Sequence, residues 1–177
     1  MKLPDPPLRD DVVLLRQWTD EDAPEIVRCC SDPLVPRYIP IIPMPYALSD
    51  AENFIERSRI PTDELNLAIA GHAVQLFGAI GVSITASDAG IAETCYWLAP
   101  EARGRGLATR ALRLLSAWAL REAGIARLQL QTDVENIASQ AVATRAGFTR
   151  EAVLRAYMDN RGTRRDSVMF SMIPGEA

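Results

Sequence analysis

The sequence predicts an α/β (α+β) fold: a mixed, mostly antiparallel sheet of six to seven strands with helices on both faces. Three observations predict it. Strand-like and helix-like periods follow one another as strand, two helices, three strands, helix, strand, helix, two strands. The helices that separate strands imply crossovers, which make part of the sheet parallel. The strands that follow directly on one another are joined by short turn sequences, which suit antiparallel hairpins. A length of 177 residues fits one domain over 1–177, long enough to bury a core.

Each element has a local cause. Residues 11–16 (DVVLLR) form a first strand. Thr19 and Asp22 then make a capping box, opening a helix to about Ser31. From Asp32 to Tyr46, Pro33, Pro36, Pro40, Pro43 and Pro45 fix a stiff, irregular loop, because each proline sets its own φ and restricts its predecessor. Ser49-Asp50-Ala51-Glu52 reads as a second capping box, for a helix to about Arg59. Strands follow at about Leu65–Ala70, Val74–Thr85 and Gly90–Leu98, parted by Gly71-His72 and Ser87-Asp88-Ala89-Gly90.

A long helix runs from about Gly104 to Ala123, with Leu107, Ala111, Leu114, Leu115 and Trp118 on one stripe and Gly124 as its stop. Ile125–Thr132 alternates Leu128, Leu130 and Thr132 against Gln129 and Gln131, as a strand does. Asn136 caps a helix to about Arg145, closed by Gly147. Phe148–Tyr157 and Arg164–Met172 make a final hairpin around Asp159-Asn160-Arg161-Gly162.

Composition removes several function classes. Hydrophobic residues are 48% and charged residues 24%, ordinary for a soluble globular chain. A net charge of -4 and a pI near 5.1 argue against a nucleic-acid partner. Lys2 is the single lysine, so Schiff-base chemistry is disfavoured. His72 is the single histidine, in a strand-to-strand turn, which disfavours histidine metal sites and a Ser-His-Asp triad. Cys29, Cys30 and Cys95 have no disulfide or metal spacing and read as buried small hydrophobes in a reducing compartment. The expectation is no metal. The N-terminus lacks a signal-like apolar segment and no apolar run spans a bilayer, so a cytoplasmic protein without a membrane partner is expected.

The most informative stretch runs from Tyr96 to Thr109: strand, proline stop, glycine-bearing turn, helix. Such a turn aims free backbone N–H groups at one point on the positive end of a helix dipole, a place for phosphate or diphosphate. A Walker A loop is disfavoured because no lysine is present here, and a dinucleotide fingerprint because Thr109 stands at the third glycine.

Arg103-x-x-Gly106-x-Ala108 resembles the Arg/Gln-x-x-Gly-x-Gly/Ala signature of the GNAT superfamily of acetyl-CoA-dependent N-acetyltransferases. The segment Ala92–Pro100 is similar to the strand before that loop, and Asn136-Ile137-Ala138-Ser139 with Ala146-Gly147-Phe148 to its Asn-x-x-Ser…Gly-Phe segment. The proline-rich stretch resembles the RimJ/RimL-type subgroup, which implies acceptors that are protein N-terminal or small-molecule amines. Cys95, where relatives often carry Gly, is a departure.

The resemblance implies a GNAT-like sheet, acetyl-CoA as cosubstrate and direct transfer to a primary amine. It implies that Arg103, Gly104, Arg105, Gly106, Leu107, Ala108 and Thr109 hold the diphosphate, with Arg103 and Arg105 reaching phosphate oxygens. Tyr96, Trp97 and Leu98 would take the pantetheine arm as a pseudo-strand and supply an N–H for the oxyanion. Glu93 would be the general base, with Asp133 and Glu135 as rivals. Ser139, or Tyr157, would donate to the leaving thiolate, and Asn136 would cap its helix and touch pantetheine. Tyr38 and Tyr46, on the proline-rich stretch, have two readings left open by the sequence: lining an acceptor groove or anchoring the loop. A homodimer is compatible with the resemblance. The alternative is a non-catalytic acyl-CoA sensor or interaction module on the same fold.

Overall fold

Buried strand residues that alternate between two faces give this chain a sheet covered on both sides. The computed structural model describes residues 1–71, 75–85 and 90–176; His72 and most of the Ser87–Gly90 turn lie outside them. The strands are β1 (Leu14–Arg16), β2 (Glu64–Ala70), β3 (Leu76–Ile84), β4 (Ile91–Leu98), β5 (Arg127–Asp133), β6 (Thr149–Asn160) and β7 (Thr163–Met172). They form one seven-stranded sheet in the order β1-β2-β3-β4-β5-β7-β6. Every neighbouring pair is antiparallel except β4 and β5, which are parallel.

The helices are α1 (Ala23–Cys30), α2 (Leu34–Tyr38), α3 (Leu48–Arg59), α4 (Leu107–Arg121) and α5 (Ile137–Ala146). The parallel pair follows from α4, the crossover between β4 and β5. On one face α1 and α3 bury Trp18, Ile26, Ala51 and Ile55 against Ala68 and Ala79 of β2 and β3. On the other, Leu107, Leu112 and Leu115 of α4 and Ala143 of α5 pack on Leu67, Ile69, Leu128 and Leu130.

The expected caps hold in part. The Asp22 carboxylate accepts the Thr19 N–H at 2.9 Å, and Arg16 grips the same carboxylate at 2.7 Å. Burial pushes the Asp22 carboxyl up, but Arg16 and the Thr19 N–H outweigh it and hold it below the usual range. The second cap sits two residues earlier than expected: α3 starts at Leu48, and Asp50, not Glu52, reaches back to the Ala47 N–H at 2.8 Å. A carboxylate three residues on from the flanking residue is the one within reach, so Ser49 falls inside the helix. The proline-rich stretch is not wholly irregular, because α2 lies within it: Pro33 precedes its first turn, where a missing N–H costs nothing. Strand β1 is shorter than residues 11–16. Helix α4 begins at Leu107 rather than Gly104, after a 3-10 turn at Pro100–Ala102.

Candidate active site

The sheet is incomplete at one place. β4 pairs with β3 from Ala92 to Leu98, but with β5 only through Ile91, Ala92 and Glu93, opposite Arg127, Leu128 and Gln129. Beyond Glu93 the two parallel strands part, and the β5-facing edge of Thr94–Leu98 has no strand partner. A cleft of about 860 Å³ opens there, floored by Glu93–Leu98; this is within the size range of small-molecule sites. Gly78 of β3 secures the floor from behind: a Cβ at this position would stand 2.1 Å from the Trp97 carbonyl oxygen, so only glycine fits.

The floor continues into the glycine turn. Gly104 has φ +73° and Gly106 φ +76°, the left-handed region that a side chain disfavours. A Cβ at either would meet no protein atom within 4 Å, so the turn's φ, and not crowding inside the protein, selects glycine. The result is a set of unused donors. Among the described residues, no protein acceptor takes the N–H groups of residues 104–109, and the first amide satisfied by the helix is Arg110, which donates to the Gly106 carbonyl at 3.1 Å. Leu107, Ala108 and Thr109 are buried. Unsatisfied donors at a helix N-terminus fit a diphosphate.

The arginines of this turn depart from expectation. Arg103 points inward, donating to Asp32 at 2.8 Å and to the Leu98 carbonyl at 3.1 Å. That hydrogen bond is the chief reason the Asp32 carboxyl sits below its ordinary value. Arg103 thus ties the turn to the start of the proline-rich stretch. Arg105 lies over the Phe77 ring at 5.2 Å, a cation–π contact. The backbone amides of residues 104–109 are thus the donors of this turn that no protein group uses among the described residues.

Glu93 occupies the point where the strands part. Burial pushes its carboxyl above the ordinary range, and Gln131 donates to it at 3.3 Å. A desolvated carboxylate with raised pKa is a stronger base than a surface one. The rivals are otherwise engaged: Arg165 approaches the buried Asp133 at 2.6 Å and Glu135 at 2.5 Å, and Arg37 meets Glu135 at 3.1 Å.

Across the opening, the Tyr96 and Ser139 hydroxyls share a hydrogen bond of 2.9 Å. Asn136 caps α5 by accepting the Ser139 N–H at 3.1 Å, so the Ser139 hydroxyl is left for the cleft. Burial pushes the Tyr96 phenol up to about 12, against the opposing effect of the Ser139 hydrogen bond; it remains a proton donor at neutral pH. Tyr157 stands at the cleft mouth, where the β6–β7 register breaks between Leu154 and Met158.

Cys29 and Cys30 are buried as expected, but Cys95 is exposed on the cleft floor. Its thiol is open to solvent yet crowded by protein, and desolvation first, then Glu93 and Glu64, push it up to about 11. Tyr38 lines the cleft; Tyr46 does not, and packs on the α1–α3 cluster instead. The sequence pattern did not single out Asp32, Gln131, Leu34, Ile41, Asn160 or Arg161. Only Gln131 carried a signal, as the polar partner in the β5 alternation.

The family profile for the acetyltransferase (GNAT) domain matches residues 13–149. The uncharacterised N-acetyltransferase YoaA of Bacillus subtilis (strain 168) is 29% identical over 172 residues, 95% of this chain and 97% of YoaA. The microcin C7 self-immunity acetyltransferase MccE, solved in complex with acetyl-CoA and AMP, is 26% identical with a TM-score of 0.79, covering 93% of each chain. RimL, the ribosomal L7/L12 alpha-N-protein acetyltransferase solved with coenzyme A, superposes with a TM-score of 0.80 at 19% identity over 93% of this chain and 95% of RimL, a likeness of fold. The chain belongs to the GNAT acetyltransferase family and is an acetyl-CoA-dependent N-acetyltransferase.

Proposed function

We propose that this protein moves the acetyl group of acetyl-CoA directly to a primary amine, the α-amine of a protein N-terminus or that of a small molecule, and that the cleft beside β4 is where it does so. The observation that carries the reading is the coincidence of unused amides at residues 104–109 with the unpaired edge of Thr94–Leu98. The amides hold the diphosphate, and the strand edge offers main-chain partners to the pantetheine arm. Trp97 and Leu98 belong to that edge, and Asn136 stands beside it.

The residues divide the chemistry as follows. Glu93 takes the proton from the bound ammonium, and the neutral amine so formed attacks the thioester carbonyl; an α-amine, with a pKa of about 7.7–8.0, needs little help. An N–H of the Tyr96–Leu98 strand steadies the developing oxyanion. As the carbon–sulfur bond breaks, Ser139, backed by Tyr96, donates to the departing sulfur, whose thiol has a pKa of only about 8.5. Tyr157 is the second donor. RimL, as a protein α-amine acetyltransferase of the same fold, supports the N-terminal acceptor. The proposal takes the whole of 1–177 as one domain, acting in the cytoplasm. No described helix is long and apolar enough to cross a membrane. Pairing into a homodimer is compatible with it.

Thiol release from acetyl-CoA across a panel of amines and peptide N-termini tests the reading. Glu93→Gln should cut the rate by about 10²-fold or more and leave acetyl-CoA affinity nearly intact. The wild-type rate should fall on acidification through an apparent pKa above the ordinary carboxylate range, and Glu93→Gln should lose that limb. Unaltered turnover by Glu93→Gln removes it from the mechanism; tight CoA binding with no turnover on any amine would favour the non-catalytic alternative.

A further inference from the structure

We infer that the acceptor is an apolar-flanked amine, namely the α-amine of a chain whose next residues are apolar, and not a polyamine. The inference rests on the acetyl-transfer reading of the cleft and sharpens what that cleft accepts.

The mouth is apolar where it has no structural need to be. Leu34, Ile41 and Tyr157 line it with 45%, 88% and 51% of their surfaces exposed. Leaving such surface in water forgoes roughly 25 cal/mol per Å². The segment bearing Ile41 is nevertheless held in place. Asn160 donates to the Arg37 carbonyl at 2.9 Å and Arg161 to the Ile42 carbonyl at 2.7 Å, so Ile41 lies between two tethered points. On the opposite side, Arg164 donates to the Tyr157 carbonyl at 3.1 Å.

Charge points the same way. The carboxylates lining the cleft are Glu93, Glu135 and Asp159. Glu135 is matched by Arg37 and Arg165. Asp159 stands opposite Arg164 in the β6–β7 ladder and accepts the Gly162 N–H at 2.8 Å. Glu93, with Gln131 as its neighbour, is left for one amine. Among the described lining carboxylates, Asp159 forms no ion pair and is the one acid beside Glu93 that a second ammonium could reach; one placed beside Leu34 and Ile41 would lose water with no partner, which is costly.

The test compares three acceptors on the full chain with acetyl-CoA: a short peptide with apolar residues after its N-terminal alanine, the same peptide with lysine and arginine there, and spermidine. The apolar peptide should lead in kcat/KM by about tenfold or more, and Ile41→Asp should narrow that lead. Titration of the same three into CoA-saturated protein should show the same order of binding. Spermidine or the basic peptide matching the apolar one in both assays overturns the inference. Turnover without any such preference does so too, while leaving acetyl transfer standing. Apolar-peptide binding without thiol release from any amine has the opposite meaning: the acetyl-transfer reading fails and the inference about its acceptor falls with it, leaving only a preference in binding.

Discussion

The donor wall of the cleft is one continuous run of chain, from β4 through the Gly104–Gly106 turn into α4. The acceptor wall is joined from α2, its following loop and the β6–β7 hairpin, with tethers that link residues 123 and 119 positions apart. The first wall is rigid by local geometry, through φ values, a close-packed glycine and a helix start. The second depends on long-range hydrogen bonds and ion pairs on exposed side chains. On the proposed reading, a fixed donor site beside a tethered acceptor site lets one vary without disturbing the other.

The largest effect should come from the Arg16–Asp22 pair, which joins β1 to the turn before α1. Asp22 and Arg16 are 9% and 15% exposed, and Asp22→Asn leaves the Arg16 guanidinium without its partner. The loss should be about 3 kcal/mol at neutral pH, read by urea unfolding. The sign is fixed by linkage. The Asp22 carboxyl is depressed in the folded state, so its contribution is present above the unfolded value of about 3.9 and fades as pH falls through the lower folded value. The gap between wild type and Asp22→Asn should close at strongly acid pH.

Gly106→Val perturbs the donor wall alone. A left-handed φ costs a branched residue about 1–2 kcal/mol, which should weaken acetyl-CoA binding about tenfold or more as the turn relaxes. Acceptor KM should move little. Asn160→Ala with Arg161→Ala does the reverse: each lost hydrogen bond is worth about 1 kcal/mol, raising acceptor KM severalfold while acetyl-CoA affinity holds. If both variants shift both constants together, the two walls are not separate. The smallest effect is a control within α4, beyond its first turn. Ser116 in α4 is buried with no partner for its hydroxyl among the described residues; Ser116→Ala should change stability by less than about 0.5 kcal/mol or raise it slightly.

The same contrast explains what could be read from the chain directly. The donor wall was legible because its causes are neighbours in sequence: the Tyr96–Thr109 order of strand, proline, glycine and helix, and the Asn136 cap with Ser139 behind it. The mixed sheet followed from crossovers and short turns, whereas the insertion of β7 between β5 and β6 did not. The acceptor wall was not legible, since proline restricts φ without saying what the loop touches. Helix α2 depends on Pro33 standing before its first turn and Val35 and Pro36 finding cover. The Arg103–Asp32 contact is not legible either, since the two residues stand 71 positions apart. Cys95 is exposed against expectation, and Tyr46 anchors the loop rather than lining the groove, for the same reason: burial is decided by tertiary neighbours.

The account turns on the amides of residues 104–109 gripping the diphosphate, and pantetheine, which lacks it, tests that directly. In calorimetric titration of the folded protein, CoA should bind at least about a hundredfold more tightly than pantetheine, the worth of two charge-assisted hydrogen bonds at about 1.5 kcal/mol each. Equal affinity for the two, or no heat with CoA at all, would contradict it.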